Sequence, residues 1–165
     1  MFTPAAEYPT DKAALYALLC AQLTALTEDE QKVIPNLANA SALLANALHD
    51  LNWAGFYMMY GTELVLGPFQ GKPACIRIPF GRGVCGTAAA ENATQVVANV
   101  HDFPGHIACE CASNAEIVIP LRARGKVVAV LDIDSPVFSR FDDQDRAGLE
   151  AFCALLECAC DWEEV

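Results

Sequence analysis

The stretch from Glu116 to Ser135 constrains the fold more than any other part of the chain. It consists of two β-branched runs, EIVIPLRA and KVVAVLDIDS, that meet at Arg124-Gly125-Lys126, a pattern that predicts an antiparallel hairpin. Side chains alternate along a strand, so Val127, Ala129, Leu131 and Ile133 share one face of the second run. Val128, Val130, Asp132 and Asp134 share the other. Two carboxylates therefore point the same way at the strand's end, and the pairing brings Glu116, at the start of the first run, close to them.

Around this hairpin the periodicity changes twice. From Asp11 to about Thr27, Leu15, Leu18, Leu19, Leu23 and Leu26 recur at helical spacing, with Thr10 or Asp11 as N-cap. Thr27 and Glu30 have capping-box spacing ahead of a second helical face, Val33, Ile34, Leu37, Leu44 and Leu48, running to about Asp50. The segment NWAGFYMMY (52–60) and ELVLGPFQG read as strands joined at Gly61-Thr62. CIRIP and QVVANV are shorter strands around GRGVCGTAAAEN, a glycine turn that opens a helix, and 101–113 has no period and reads as a structured loop. Helical spacing returns from Asp142 to Trp162 through Leu149, Phe152 and Leu156. The order predicts an α+β fold, a central, mostly antiparallel sheet of five or six strands flanked by N- and C-terminal helices. With 165 residues, 54% hydrophobic and 19% charged, one domain over 1–165 accommodates it.

Lys and Arg number 10 against 21 Asp and Glu, a formal net charge of -11, which argues against nucleic acid or an anionic membrane as partner. The start, MFTPAAEYPTDK, has no basic segment followed by a long apolar one, and no later stretch approaches the roughly 20 apolar residues of a membrane span. The expectation is a soluble, cytoplasmic chain whose eight cysteines are kept reduced.

Three of those cysteines, Cys75, Cys85 and Cys109, fall at turns or loops, where reactive side chains tend to sit. Cys85 opens a helix, whose dipole lowers a thiol's pKa and argues for reactivity; packing is its other reading. Cys20, Cys153, Cys158 and Cys160 lie on predicted helices and read as core. Like charges near an apolar wall raise one another's pKa, so one of Glu116, Asp132 and Asp134 is suited to hold a proton near neutral pH, whereas acids at strand ends also commonly cap turns or face water. His101, His106, Cys109 and Cys111 offer four zinc donors within eleven residues, but the H-x4-H-x2-C-x-C spacing lacks the C-x2-C pairs of dependable sites, and no metal is expected. GRGVCGTA matches neither the Walker nor the dinucleotide pattern.

The segments NWAGFY, LVLGPFQGKPACIRIPFGRGVCGTA, HIACECASNAEIVIPL and VLDIDSPVFSRFDDQD closely resemble the free methionine-R-sulfoxide reductases of the GAF-domain superfamily, over about Asn39 to Leu156. The resemblance implies a GAF-type domain without a cofactor that reduces the R epimer of free methionine sulfoxide. It further implies Cys109 as nucleophile, Cys75 as the thiol that resolves its sulfenic acid, and Cys85 as an auxiliary cysteine. Thioredoxin would recycle the disulfide, and a homodimer is compatible with the family. Glu116 and Asp134 match positions that hold or protonate the sulfoxide oxygen, Asp132 would bind the substrate ammonium, and Trp53 and Tyr57 would wall the S-methyl group. Cys111 departs from the family pattern and offers a competing resolving thiol. A non-catalytic GAF domain that senses a small ligand is the alternative, set against it by the three loop cysteines and the acids.

Overall fold

In the computed structural model, which describes residues 7–105 and 112–164, helices α1 (Lys12–Thr27) and α2 (Val33–Ala47) precede strands β1 (Trp53–Tyr60), β2 (Glu63–Gly71) and β3 (Arg77–Pro79). Helix α3 (Gly83–Glu91), strands β4 (Gln95–Val97), β5 (Ala115–Ala123) and β6 (Lys126–Ser135), and helix α4 (Asp143–Ala159) complete the chain. The six strands form one antiparallel sheet in the order β3-β2-β1-β6-β5-β4. The expected α+β fold is what forms. No helix among the described residues is long and apolar enough to cross a membrane.

Apolar alternation decides which face each helix covers. Ala54, Phe56 and Met58 of β1, Ile117, Ile119 and Leu121 of β5, and Ala129, Leu131 and Ile133 of β6 all turn toward α1, α2 and α4, building the larger core. Val118 and Val130 on the opposite face are equally buried, beneath α3 and the adjoining loops, which is why the central strands read as continuous apolar runs. Trp53, Tyr57, Val84, Cys85 and Ala88 belong to this second, smaller core.

Two sequence expectations are corrected. Val127 packs in the smaller core and Val128 in the larger, the reverse of strict alternation, because the register slips between Leu121 and Arg122. Leu121 pairs with Ala129 and Arg122 with Val127, so Val128 is the extra residue of a β-bulge and the period restarts on its far side. Thr27 and Glu30 form no capping box: the Thr27 hydroxyl donates to the Leu23 carbonyl, and the Glu30 carboxylate accepts from the Lys32 N–H. A reciprocal box forms instead at Asp142 and Asp145, where α4 begins.

Asp145 also joins α1 to α4. It is buried, accepts a hydrogen bond from the Tyr16 hydroxyl at 2.8 Å and forms ion pairs with Lys12 at 2.6 Å and Arg140 at 3.3 Å. The Tyr16 ring lies flat over Gly148: a Cβ there would stand 2.1 Å from Tyr16 Cγ. Helix propensity favours Gly148→Ala by about 1 kcal/mol, but overpacking a closed contact costs about 1–3 kcal/mol or more. The clash should win, lowering Tm by roughly 2–8 °C. Thermal unfolding of Gly148→Ala checks this, and a raised Tm would show that propensity outweighs the interhelical contact.

Candidate active site

Antiparallel register assembles the reactive groups at one end of the sheet. Glu116 of β5 stands opposite Asp134 of β6, and Val118 opposite Asp132, while across the other edge of β6 Asp134 faces Trp53 and Asp132 faces Gly55. Glu116, Asp132 and Asp134 thus share the face that carries Trp53 and Tyr57. Helix α3 lies across this face and lowers Cys85 onto it, with the thiol donating to Glu116 Oε1 at 3.9 Å. Glu116 and Asp132 are each 6% exposed and Cys85 3%.

Burial governs the protons here. It pushes the Glu116 carboxyl well above the usual carboxylate range, and the charges of Asp132 and Asp134 push it further. Asp132 is raised by burial and then by Asp134. Cys85 is corrected relative to the helix-dipole argument: burial and the neighbouring acids drive its thiol up, so it is held protonated in spite of its place in the first turn of α3. Desolvating a thiolate beside carboxylates outweighs the partial charge of a nine-residue helix.

An aromatic wall completes the face. Trp53 stacks on Tyr57, with centroids 5.8 Å apart, and on Phe69 of β2 at 5.3 Å and an interplanar angle of 14°. Glycine makes room for the stack: a Cβ at Gly55 would lie 2.3 Å from Phe69 Cβ, and one at Gly71 would lie 2.6 Å from Trp53 Cδ1. The polar tips are also fixed, since Trp53 Nε1 donates to the Lys72 carbonyl at 3.2 Å and the Tyr57 hydroxyl to the Cys75 carbonyl at 3.1 Å. Tyr57 therefore ties the half-buried Cys75 to the wall. Cys75 is disulfide-bonded, whereas Cys20, Cys85, Cys153, Cys158 and Cys160 are free.

The sequence profile of the GAF domain matches residues 36–160. The chain belongs to the GAF-domain family. Among its relatives, protein YtsP of Bacillus subtilis is 58% identical over 151 residues, covering 90% of this chain and 93% of its own. The free methionine-R-sulfoxide reductase of Escherichia coli is 54% identical over 147 residues, covering 89% of each chain. In three dimensions, the free methionine-R-sulfoxide reductase of Neisseria meningitidis, solved in complex with its substrate, superposes with a TM-score of 0.92 at 43% identity, covering 96% of this chain and 95% of that one.

Within this GAF domain, the residues anticipated from sequence divide three ways. Glu116, Asp132, Asp134, Trp53, Tyr57 and Cys85 share one face, and Cys75 adjoins it through Tyr57. Cys109, Cys111 and His106 lie outside the described residues. His101 contacts Asn114 Oδ1 at 3.1 Å through Nε2, and of the helical cysteines Cys158 is exposed rather than core. Sequence reasoning passed over Phe69, whose only sign is an aromatic within a glycine- and proline-broken strand. It also passed over Asn52, whose Nδ2 donates to the Ser113 hydroxyl at 3.0 Å while its Oδ1 is buried with no hydrogen-bond partner among the described residues.

The raised Glu116 pKa fixes the direction of a stability effect. The folded chain binds this proton more tightly than the unfolded one, so the group costs nothing below about pH 4.3, and its cost grows as pH rises toward the folded-state value. Glu116→Gln should therefore unfold several degrees above wild type at pH 8 and within about one degree of it at pH 4. Thermal melts at the two pH values check this, and an equal shift at both would mean that Glu116 carries no buried titration.

Proposed function

We propose that this chain reduces the R epimer of free methionine sulfoxide to methionine, with Cys109 as nucleophile, Cys75 as resolving thiol and thioredoxin as reductant. The observation that carries the reading is an acidic trio, Glu116 and Asp132 buried and Asp134 half-buried, facing an aromatic wall beside the disulfide-bonded Cys75. It occurs in a chain 54% identical to a protein named for this activity.

The chemistry follows from the groups present. The Cys109 thiolate attacks the sulfoxide sulfur, a carboxyl gives its proton to the developing oxyanion, and methionine departs as the oxygen passes to Cys109 as a sulfenic acid. Two electrons leave the cysteine sulfur and reduce the sulfoxide. The Cys75 thiol then attacks the sulfenic sulfur, water leaves, and a thioredoxin dithiol reduces the resulting disulfide. Glu116 is the carboxyl best suited to arrive protonated, since burial and two neighbouring acids raise it. Asp134, its cross-strand partner, holds the same oxygen in this scheme.

Specificity follows from the same carboxylates. Asp132 pairs with the α-ammonium of the free amino acid, a charge that a peptide bond removes, while Trp53 and Tyr57 hold the S-methyl group against an apolar face. Cys85 acts as an auxiliary group that keeps its hydrogen directed at Glu116. A thioredoxin-recycled thiol enzyme belongs in the cytoplasm.

The test is NADPH consumption coupled through thioredoxin reductase and thioredoxin with free methionine-R-sulfoxide. Wild type should turn over, Cys109→Ser should fall by at least about 10³-fold as expected for loss of a nucleophile, and Cys75→Ser should complete a single turnover without recycling. Undiminished turnover by Cys109→Ser would remove it as nucleophile, and saturable binding without product in wild type would make the chain a sensor.

A further inference from the structure

Cys85, Glu116 and Asp132 meet from three different elements, α3, β5 and β6, and one ligand atom of each lies within 4.8 Å of the other two. The trio is buried as a unit, and Asp132, only 6% exposed, keeps Oδ1 buried with no hydrogen-bond partner among the described residues. A buried carboxylate oxygen without a donor is a vacancy in the polar pairing of the core, and such vacancies call for a ligand. The thiol already sits against Glu116, 3.9 Å from Oε1, so sulfur and oxygen donors converge on one point.

We propose that Cys85 Sγ, Glu116 and Asp132 form a binding site for one borderline-soft divalent cation of the Zn2+ type, which blocks the substrate site of the reduced protein. One thiolate and two carboxylates are the donor set of a zinc-class ion, with a fourth position left for water. Mg2+ and Ca2+ require more oxygens and disfavour sulfur. Donor atoms of a tetrahedral ion stand about 3.3–3.7 Å apart, so the trio needs to draw in by roughly 1 Å at its widest, a movement within the reach of the Glu116 side chain. Coordination forms a metal–sulfur bond at Cys85 and metal–oxygen bonds at the two carboxylates, and sends the thiol proton and the proton held at Glu116 to solvent, with no change of oxidation state.

This ion is an inhibitor rather than a cofactor, because it occupies the carboxylates that the proposed reaction uses for the ammonium and the oxygen. The inhibition rests on the reductase reading; binding itself does not. Its donor set shares no residue with the histidines and cysteines of the 101–111 stretch, whose spacing is poor for zinc.

Titration of reduced protein, freed of thiol reductant, with Co2+ as a spectroscopic probe tests the site. One equivalent per chain with a thiolate-to-cobalt charge-transfer band is expected in wild type and in the Cys109→Ser/Cys111→Ser double variant. In Cys85→Ala the band should vanish, and in the near-isosteric Asp132→Asn affinity should fall at least tenfold, with apo melting curves confirming that both variants fold. An unchanged band in Cys85→Ala, or loss of the band in the loop double variant, overturns the proposal by placing the ion elsewhere. In wild type with active reductase, Zn2+ should raise KM without lowering kcat. Site-specific Co2+ binding in a protein with no sulfoxide turnover would leave the metal site standing and sink the reductase reading instead. Turnover with no stoichiometric binding would do the reverse.

Discussion

Antiparallel pairing of β5 with β6 sets Glu116 opposite Asp134 and leaves Asp132 on the same face two residues away. A slip of one residue would turn all three carboxylates toward α2 and α4, into a core built of Ile117, Leu131 and Phe152 that has no partner for them. The alternation that buries the apolar side chains on one face is therefore also what gathers the acids on the other. Pairing of β6 with β1 then supplies the wall, since Trp53 faces Asp134 across the ladder and stacks on Tyr57 and Phe69.

Concentrating buried carboxylates this way works against stability. Glu116 and Asp132 each lose hydration and repel the other, and the folded chain answers by holding protons that exposed acids would release. That strain is carried by a large apolar core on the sheet's other face and by the Asp145 network that ties Lys12, Tyr16 and Arg140 to the start of α4. In the proposed reaction the proton held at Glu116 is the one passed to the sulfoxide oxygen, so the burial that weakens the fold would also prepare the chemistry.

Much of this was legible in the residues. Period-2 runs at 116–123 and 126–135 and helical spacing from Asp11 to about Thr27 and from Asp142 to Trp162 predicted the elements, and the face shared by Asp132 and Asp134 followed from alternation alone. The Val128 bulge was not legible, because a register slip between Leu121 and Arg122 depends on the partner strand rather than on either run. The capping box at Asp142 and Asp145 was equally hidden: Lys12, which lies 130 residues from Asp142, pairs with both acids. The direction of the Cys85 shift needed three-dimensional burial, since sequence shows the helix start and not the acids across from it. Phe69 joins the wall only through the glycines at 55 and 71, a steric condition that no local pattern announces.

The central claim is that buried carboxylates read the charged α-ammonium of a free amino acid. It is tested most directly by comparing kcat/KM for free methionine-R-sulfoxide with that for its N-acetyl derivative, which keeps the sulfoxide and removes the charge. Leaving a buried carboxylate without its cation costs about 3–5 kcal/mol, so the acetylated compound should be poorer by at least about 10²-fold. Equal kcat/KM for the two would contradict the account, because the acids would then be doing nothing for recognition.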